Sequence, residues 1–145
     1  MDMYQCDVNC MELAIYADGA ARGNPGPGSW AFLITLDGRI LYEGYGVLGT
    51  TTNNVAEYNA IINGMKKARA YGKVTLTVFS DSLLAINQLN GSWKVKKDHL
   101  KPLHEEVISL TSGYERVKFV HVPRSTSLIQ RVDALANKAL DDEGS

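Results

Sequence analysis

Apolar and polar positions alternate from Leu13 to Gly19, with Leu13, Ile15 and Ala17 on one side and Ala14, Tyr16 and Asp18 on the other. That period of two predicts a β-strand with Asp18 at its end. Two further strand-like runs, "SWAFLITL" and "RILYEGYGVL", are joined by Asp37-Gly38. This dipeptide tolerates positive φ and suits a tight hairpin, so a three-stranded antiparallel meander is expected. From Asn54 to about Tyr71 the spacing becomes helical, through Val55, Ile61, Ile62, Met65 and Ala68, and Gly72 stops it. Residues 74–80 read as a strand, and "SLLAINQLNG" as a short helix closed by Gly91. "LKPLHEEVISLTSG" reads as a helix that admits Pro102 in its first turn. The strand "RVKFVHV" and a helix from about Leu128 to Leu140 complete the order βββαβααβα. Helices between strands favour parallel pairing by right-handed crossovers, so the expected architecture is α/β, a mixed sheet covered by helices.

At 145 residues the chain has room for one domain with a substantial core. We place that domain at 13–140, with a short extension at 1–12 and a tail at 141–145. Apolar residues at 45% and charged residues at 21% exclude disordered, collagen-like and coiled-coil readings. Apolar runs are too short for a membrane span, and the first residues carry no basic flank before an apolar stretch. A cytoplasmic, monomeric protein is the expectation. Cys6 and Cys10 lack a second pair that would complete a zinc site, and read as incidental thiols. Net charge is −1, yet lysines gather in "WKVKKDHLK", where a local field can act even though the total is near zero.

Four acids bear on chemistry. Asp18 and Asp81 both end predicted strands, and sites in open α/β sheets form beyond the carboxyl ends of strands. Each also has an ordinary reading: Asp18-Gly19 as a turn, and Asp81 or Ser80 as the cap of the following helix. Glu57 stands three residues after Asn54, the spacing of a capping box, but it lies on the apolar stripe with Ile61, Gly64, Met65 and Ala68. Asp133 sits at the margin of the last helix's buried stripe. If the fold gathers these acids, two carboxylates about 4 Å apart repel by about 4 kcal/mol at an effective dielectric near 20. No cation is placed beside Asp18 or Asp81 in sequence, whereas hard divalent ions such as Mg²⁺ take oxygen ligands.

The segments "YADGAARGNPGPGSW", "TTTNNVAEYNAIINGM", "VFSDSLLAINQLNGSWKVK" and "VDALANKAL" occur in the order and spacing that resemble type 1 ribonuclease H, over Leu13 to Leu140. The resemblance implies a five-stranded mixed sheet with three antiparallel N-terminal strands and helices on both faces. It also implies hydrolysis of the RNA strand of RNA/DNA hybrids, giving 5′-phosphate and 3′-hydroxyl ends. Asp18, Glu57, Asp81 and Asp133 match the family's metal-binding carboxylates for two Mg²⁺ ions, with Mn²⁺ as a substitute. Asp18 is then expected to bridge the ions, Glu57 and Asp81 to hold the one on the leaving-group side, and Asp133 the one on the water side. Asn53 and Asn54 match positions that touch backbone and sugar, and Asn24 with Thr52 resembles a phosphate pocket for the DNA strand. Their other use is turn and cap chemistry, and the two are compatible.

Trp93, Lys94, Lys96 and Lys97 fall where some relatives carry a longer basic protrusion, as either a DNA contact or a solvated loop. The "GNPGPG" loop is G-x-x-G-x-G, and Pro25 and Pro27 lack the N–H donors of a phosphate cradle, so no nucleotide cofactor is expected. One departure stands out. The family commonly sets a histidine or another polar loop residue shortly before the last aspartate, where this chain has Ile129; Arg124 and His121 are the candidate helpers, His121 with a structural role on its strand as the alternative. Broader cleavage that includes duplex RNA, and a non-catalytic hybrid-binding module, are the alternative functions.

Overall fold

The computed structural model describes residues 11–143; Cys6 and Cys10 lie outside them. Strands β1 (Glu12–Ala21), β2 (Gly26–Leu36) and β3 (Arg39–Thr51) form the antiparallel meander. Then come α1 (Asn53–Ala68), β4 (Thr75–Ser80), α2 (Leu83–Leu89), α3 (Lys101–Leu110), β5 (Arg116–His121) and α4 (Ser127–Glu143). The sheet order is β3-β2-β1-β4-β5, with β4 parallel to both β1 and β5. The five-stranded mixed sheet and the element order are as expected. The ends differ: β1 begins at Glu12 and runs on to Ala21, so Asp18 lies within the strand, paired with Ala31, rather than at its end, and α4 runs to Glu143, with Asp141 pairing with Arg22 at 2.6 Å.

Both turn expectations hold. Asp37 and Gly38 have φ of 51° and 79° and link Leu36 to its strand partner Arg39 as a two-residue hairpin. Gly72 and Gly91, at φ of 98° and 80°, follow α1's terminal 3₁₀ turn and α2, in a conformation that a Cβ would strain.

The alternation read in β1 decides what it packs. Leu13, Ile15 and Ala17 join Ile34, Tyr58, Ile61, Met65, Leu76 and Val78 in the main core, beneath α1, α2 and α3. A smaller cluster of Ala31, Leu33, Val132 and Ala136 lies on the other face, under α4. Helices therefore cover both faces. This leaves the carboxyl ends of β1 and β4 side by side, at the point where strand direction reverses between β2 and β4.

The helix caps differ from both cap readings. Thr52, not Asn54, caps α1, its hydroxyl accepting from the amide of Val55 at 3.3 Å. Ser82, not Asp81 or Ser80, caps α2, accepting from Ala85 at 3.2 Å. A serine or threonine hydroxyl satisfies an orphan N–H as well as a carboxylate does, which leaves Glu57 and Asp81 free of capping duty.

Candidate active site

Asp18 is set in β1 opposite Ala31 of β2 and is only 1% exposed. Glu57 reaches it from α1, whose backbone comes so close to β1 that a Cβ on Gly19 would sit 2.3 Å from the carbonyl carbon of Ala56. That approach requires glycine, and it also lets the Gly19 amide donate to the Glu57 carboxylate. Asp81 follows β4, its side chain 10% exposed. Carboxylate oxygens of Asp18, Glu57 and Asp81 all lie within 4.8 Å of one another. Asp133, on α4, stands at the edge of this group, its carboxyl within hydrogen-bond reach of Asp18. The structure thus brings three of the four acids into one cluster and sets the fourth beside Asp18.

The electrostatics follow from burial. Loss of water around Asp18, reinforced by the neighbouring Glu57 charge, pushes its carboxyl far above the ordinary range. Burial pushes Glu57 up to about 7, although hydrogen bonds, including those from Gly19 and Ser80, pull the other way. Two buried acids pushed up in this way, with the Asp81 carboxylate beside them, call for a compensating charge. One oxygen of Asp18, Oδ2, is fully enclosed and has no hydrogen-bond partner. Three clustered carboxylates, one of them carrying an enclosed and unpartnered oxygen, form a donor set that a hard divalent cation completes. The residues fit such an ion.

Two supporting residues were not assigned these roles from sequence. The Ser80 hydroxyl donates to Glu57 Oε2 at 3.4 Å and accepts from the Ser82 amide at 3.0 Å, tying the end of β4 to α1. Gly19 makes room for that pairing. A serine ending a strand and a glycine after an aspartate were both visible in the sequence, but only the α1–β1 contact gives them this use.

Around the acids, a cleft of ≈ 350 Å³ is lined by Gly19, Asn53, Asn54, Glu57, Asp81, Ser82 and Arg124. Asn24 lies at its edge, its side-chain oxygen accepting from the Asn53 amide at 3.1 Å, while Thr52 is occupied in capping α1. A second groove of ≈ 470 Å³ shares Asn54 with the first and holds Trp93, Lys94, Lys96 and Lys97. Trp93 is 46% exposed there. Ile129, where the family commonly sets a polar residue, is fully buried, and of the two helper candidates His121 is exposed at the end of edge strand β5. Arg124 alone lines the cleft, with Nε 3.6 Å from Asp81 Oδ2.

A mixed sheet ending in a carboxylate cluster that suits a divalent ion defines the ribonuclease H-like class of metal-using enzymes. A family model described as "Reverse transcriptase-like" matches residues 16–139. Ribonuclease HI of Halobacterium salinarum is 41% identical over 129 residues, covering 88% of this chain and 63% of that protein. Ribonuclease H of Hydrogenovibrio crunogenus is 32% identical over 143 residues, covering 90% of this chain and 97% of the relative. LC11-RNase H1, solved in complex with an RNA/DNA hybrid, superposes with a TM-score of 0.87 at 36% identity, covering 92% of this chain and 99% of that one. The chain belongs to the ribonuclease HI family. It spans less than two thirds of the Halobacterium protein's length.

Proposed function

We propose that this protein is an endoribonuclease that hydrolyses the RNA strand of RNA/DNA hybrids, leaving 5′-phosphate and 3′-hydroxyl ends, with Mg²⁺ as its working ion. The observation that carries the reading is the convergence of the Asp18, Glu57 and Asp81 carboxylates within 4.8 Å of one another, with an enclosed, unpartnered oxygen on Asp18. Asp18, Glu57, Asp81 and Asp133 would hold the metal. When bound, a pair of divalent ions activates water and stabilises the departing oxygen of an in-line displacement at phosphorus.

The chain's own residues do the rest. Ser80 and the Gly19 amide fix the Glu57 carboxylate before any ion arrives, so little reorganisation is left for catalysis. Arg124, largely exposed at the cleft mouth, supplies a mobile positive charge beside Asp81 for incoming phosphate and outgoing product. Asn53 and Asn54 open onto the cleft, where the ribose 2′-hydroxyl distinguishes RNA from DNA. Asn24 and Thr52 hold the α1 N-terminus in place for a DNA phosphate, and Trp93 with Lys94 receives the DNA backbone in the adjoining groove.

The test is digestion of labelled RNA/DNA hybrid, duplex RNA and duplex DNA, with and without Mg²⁺. Metal-dependent cutting of the hybrid's RNA strand is expected. Cutting of duplex RNA at a similar rate would broaden the substrate, and tight hybrid binding without cleavage would reduce the protein to a binding module.

A further inference from the structure

Beneath the basic groove lies a polar arrangement that the chemistry above does not use. Gln88 of α2 is 4% exposed, yet it lines the groove between the apolar walls of Leu84, Trp93 and Leu100. Its side-chain oxygen accepts a 2.6 Å hydrogen bond from the hydroxyl of Tyr58, a fully buried residue of α1. Its main-chain carbonyl is held separately by His104 Nε2 at 3.1 Å. Gln88 is thus pinned from two helices.

The pinning fixes which end of the amide faces out. Burial pushes the Tyr58 phenol up to about 12, so its proton stays on. That proton needs an acceptor, and the Gln88 oxygen is the one it has. Flipping the amide would strand a buried O–H donor, which is unfavourable. The Gln88 –NH₂ group is therefore turned away from Tyr58. It is not a sealed, unsatisfied donor, since Asp18 Oδ2 is the one such enclosed side-chain atom among the described residues. Its opening is the groove that Gln88 lines.

We propose that Gln88 contacts the substrate, donating from its side-chain amide to a neutral acceptor on the sugar and base edge of the strand seated in this groove, and that Tyr58 is the positioning residue that aims it. Charged phosphates belong at the lysine rim, where Lys94, Lys96 and Lys97 are exposed to solvent. The floor between Leu84, Trp93 and Leu100 is apolar, so a single fixed donor there favours an uncharged acceptor and sets the strand's register relative to the acids. Asn54 lines both the groove and the catalytic cleft, which makes that register matter to the cut. The inference rests on the nuclease reading above.

The experiment compares the wild type, Gln88→Met, Tyr58→Phe and the double variant on a labelled hybrid with Mg²⁺. Gln88→Met keeps the length and loses the donor. It should raise KM about three- to tenfold, the worth of one hydrogen bond, with kcat within about twofold and the salt dependence of binding unchanged. Tyr58→Phe should raise KM by less, and the double variant should be no worse than Gln88→Met alone, which a purely structural role for Tyr58 would not produce. As a measurement that needs no folded Gln88 variant, the Gln88 side-chain amide resonance of Asp18→Asn protein should shift on adding hybrid in Ca²⁺. Unchanged KM in Gln88→Met, or an unmoved resonance on saturation, overturns the role of Gln88 while leaving the nuclease standing. A wild type that does not cut hybrid overturns the nuclease reading itself.

Discussion

The guanidinium Nε of Arg124 lies 3.6 Å from Oδ2 of Asp81, joining the loop before α4 to the end of β4. With Arg124 82% exposed, solvent screens the pair, and it is worth at most about 1 kcal/mol. Arg124 and a metal ion nevertheless compete for the same carboxylate. Arg124→Ala should lower the Mg²⁺ concentration for half-maximal activity by up to about fivefold, the equivalent of that energy, while reducing kcat. A metal titration of both proteins checks it; a rise in the half-maximal concentration would show that Arg124 supports the ion instead.

The acid cluster sets a pH dependence of stability with a definite sign. Glu57 ionises at about 7 when folded against an ordinary 4.5, and Asp18 is shifted in the same direction. In that window the folded protein binds more protons than the unfolded chain, so stability falls as pH rises. The contribution is fully present below pH 4.5 and is lost as pH climbs through 7. In chelator, Tm should therefore decline between pH 5 and 8, and saturating Mg²⁺ should flatten that decline. Thermal melts across the range test both halves; a chelated protein whose Tm does not fall across this window counts against the cluster as the cause.

Asp18→Asn removes the least exposed acid of the cluster, 1% exposed, and the proposed bridging ligand together. Turnover should drop by about 10³-fold or more, roughly 4 kcal/mol of barrier. The chelated variant should at the same time melt a few degrees higher than the wild type at neutral pH, because the wild type must keep a proton on buried Asp18 in order to fold, whereas an amide is neutral in both states. Activity assays and melts on one preparation give both numbers, and a variant that keeps its turnover removes Asp18 from the metal site.

Gly19→Ala would force an atom to within 2.3 Å of Ala56 and 2.4 Å of the Glu57 amide nitrogen, so α1 and β1 must part. Overpacking of this kind costs about 1–3 kcal/mol, and it moves Glu57 relative to Asp18. Metal binding should weaken and kcat should fall by about tenfold or more, since small misplacements at a reacting centre are costly. Calorimetric metal titration alongside denaturant melts would detect the coupled losses; a stability loss with unchanged metal affinity would mean that the contact only supports the fold.

Lys94 and Lys97 line the groove beside Trp93. If they neutralise phosphates, each lysine changed to alanine should reduce the slope of log affinity against log salt by about one. Binding isotherms at several salt concentrations measure the slope directly. An unchanged slope would return the segment to a solvated loop.

Much of this was legible in the chain. The period of two in Leu13, Ile15 and Ala17, the Asp37-Gly38 turn and the stripe from Ile61 to Ala68 carry their physics locally, and the fold follows them. Asp18 and Asp81 were equally visible, because an acid that closes an apolar run is conspicuous, although β1 runs on past Asp18 to Ala21 through its pairing with β2. The caps were harder to read: Thr52, Asn53 and Asn54 are all competent, and the choice of Thr52 depends on where α1 docks against β1. The roles of Ser80, Gly19 and Gln88 were not legible at all. Each depends on a partner at least 23 residues away, as in the bond from Ser80 to Glu57, and a local pattern carries no record of such a meeting.

Asp18 is clamped by main-chain pairing to β2 on one side and lies next to the β1–β4 ladder on the other, while Glu57 is braced by Gly19 and Ser80. Ligands with so little freedom act as a gauge of ionic radius. A compact ion that demands six close oxygens can draw what it needs from two or three fixed carboxylates and water, whereas a larger ion that seeks six to eight looser ligands finds the spacing wrong. Calcium should therefore bind this site more weakly than a small ion does, a discrimination that comes from the stiffness of the strand that carries Asp18.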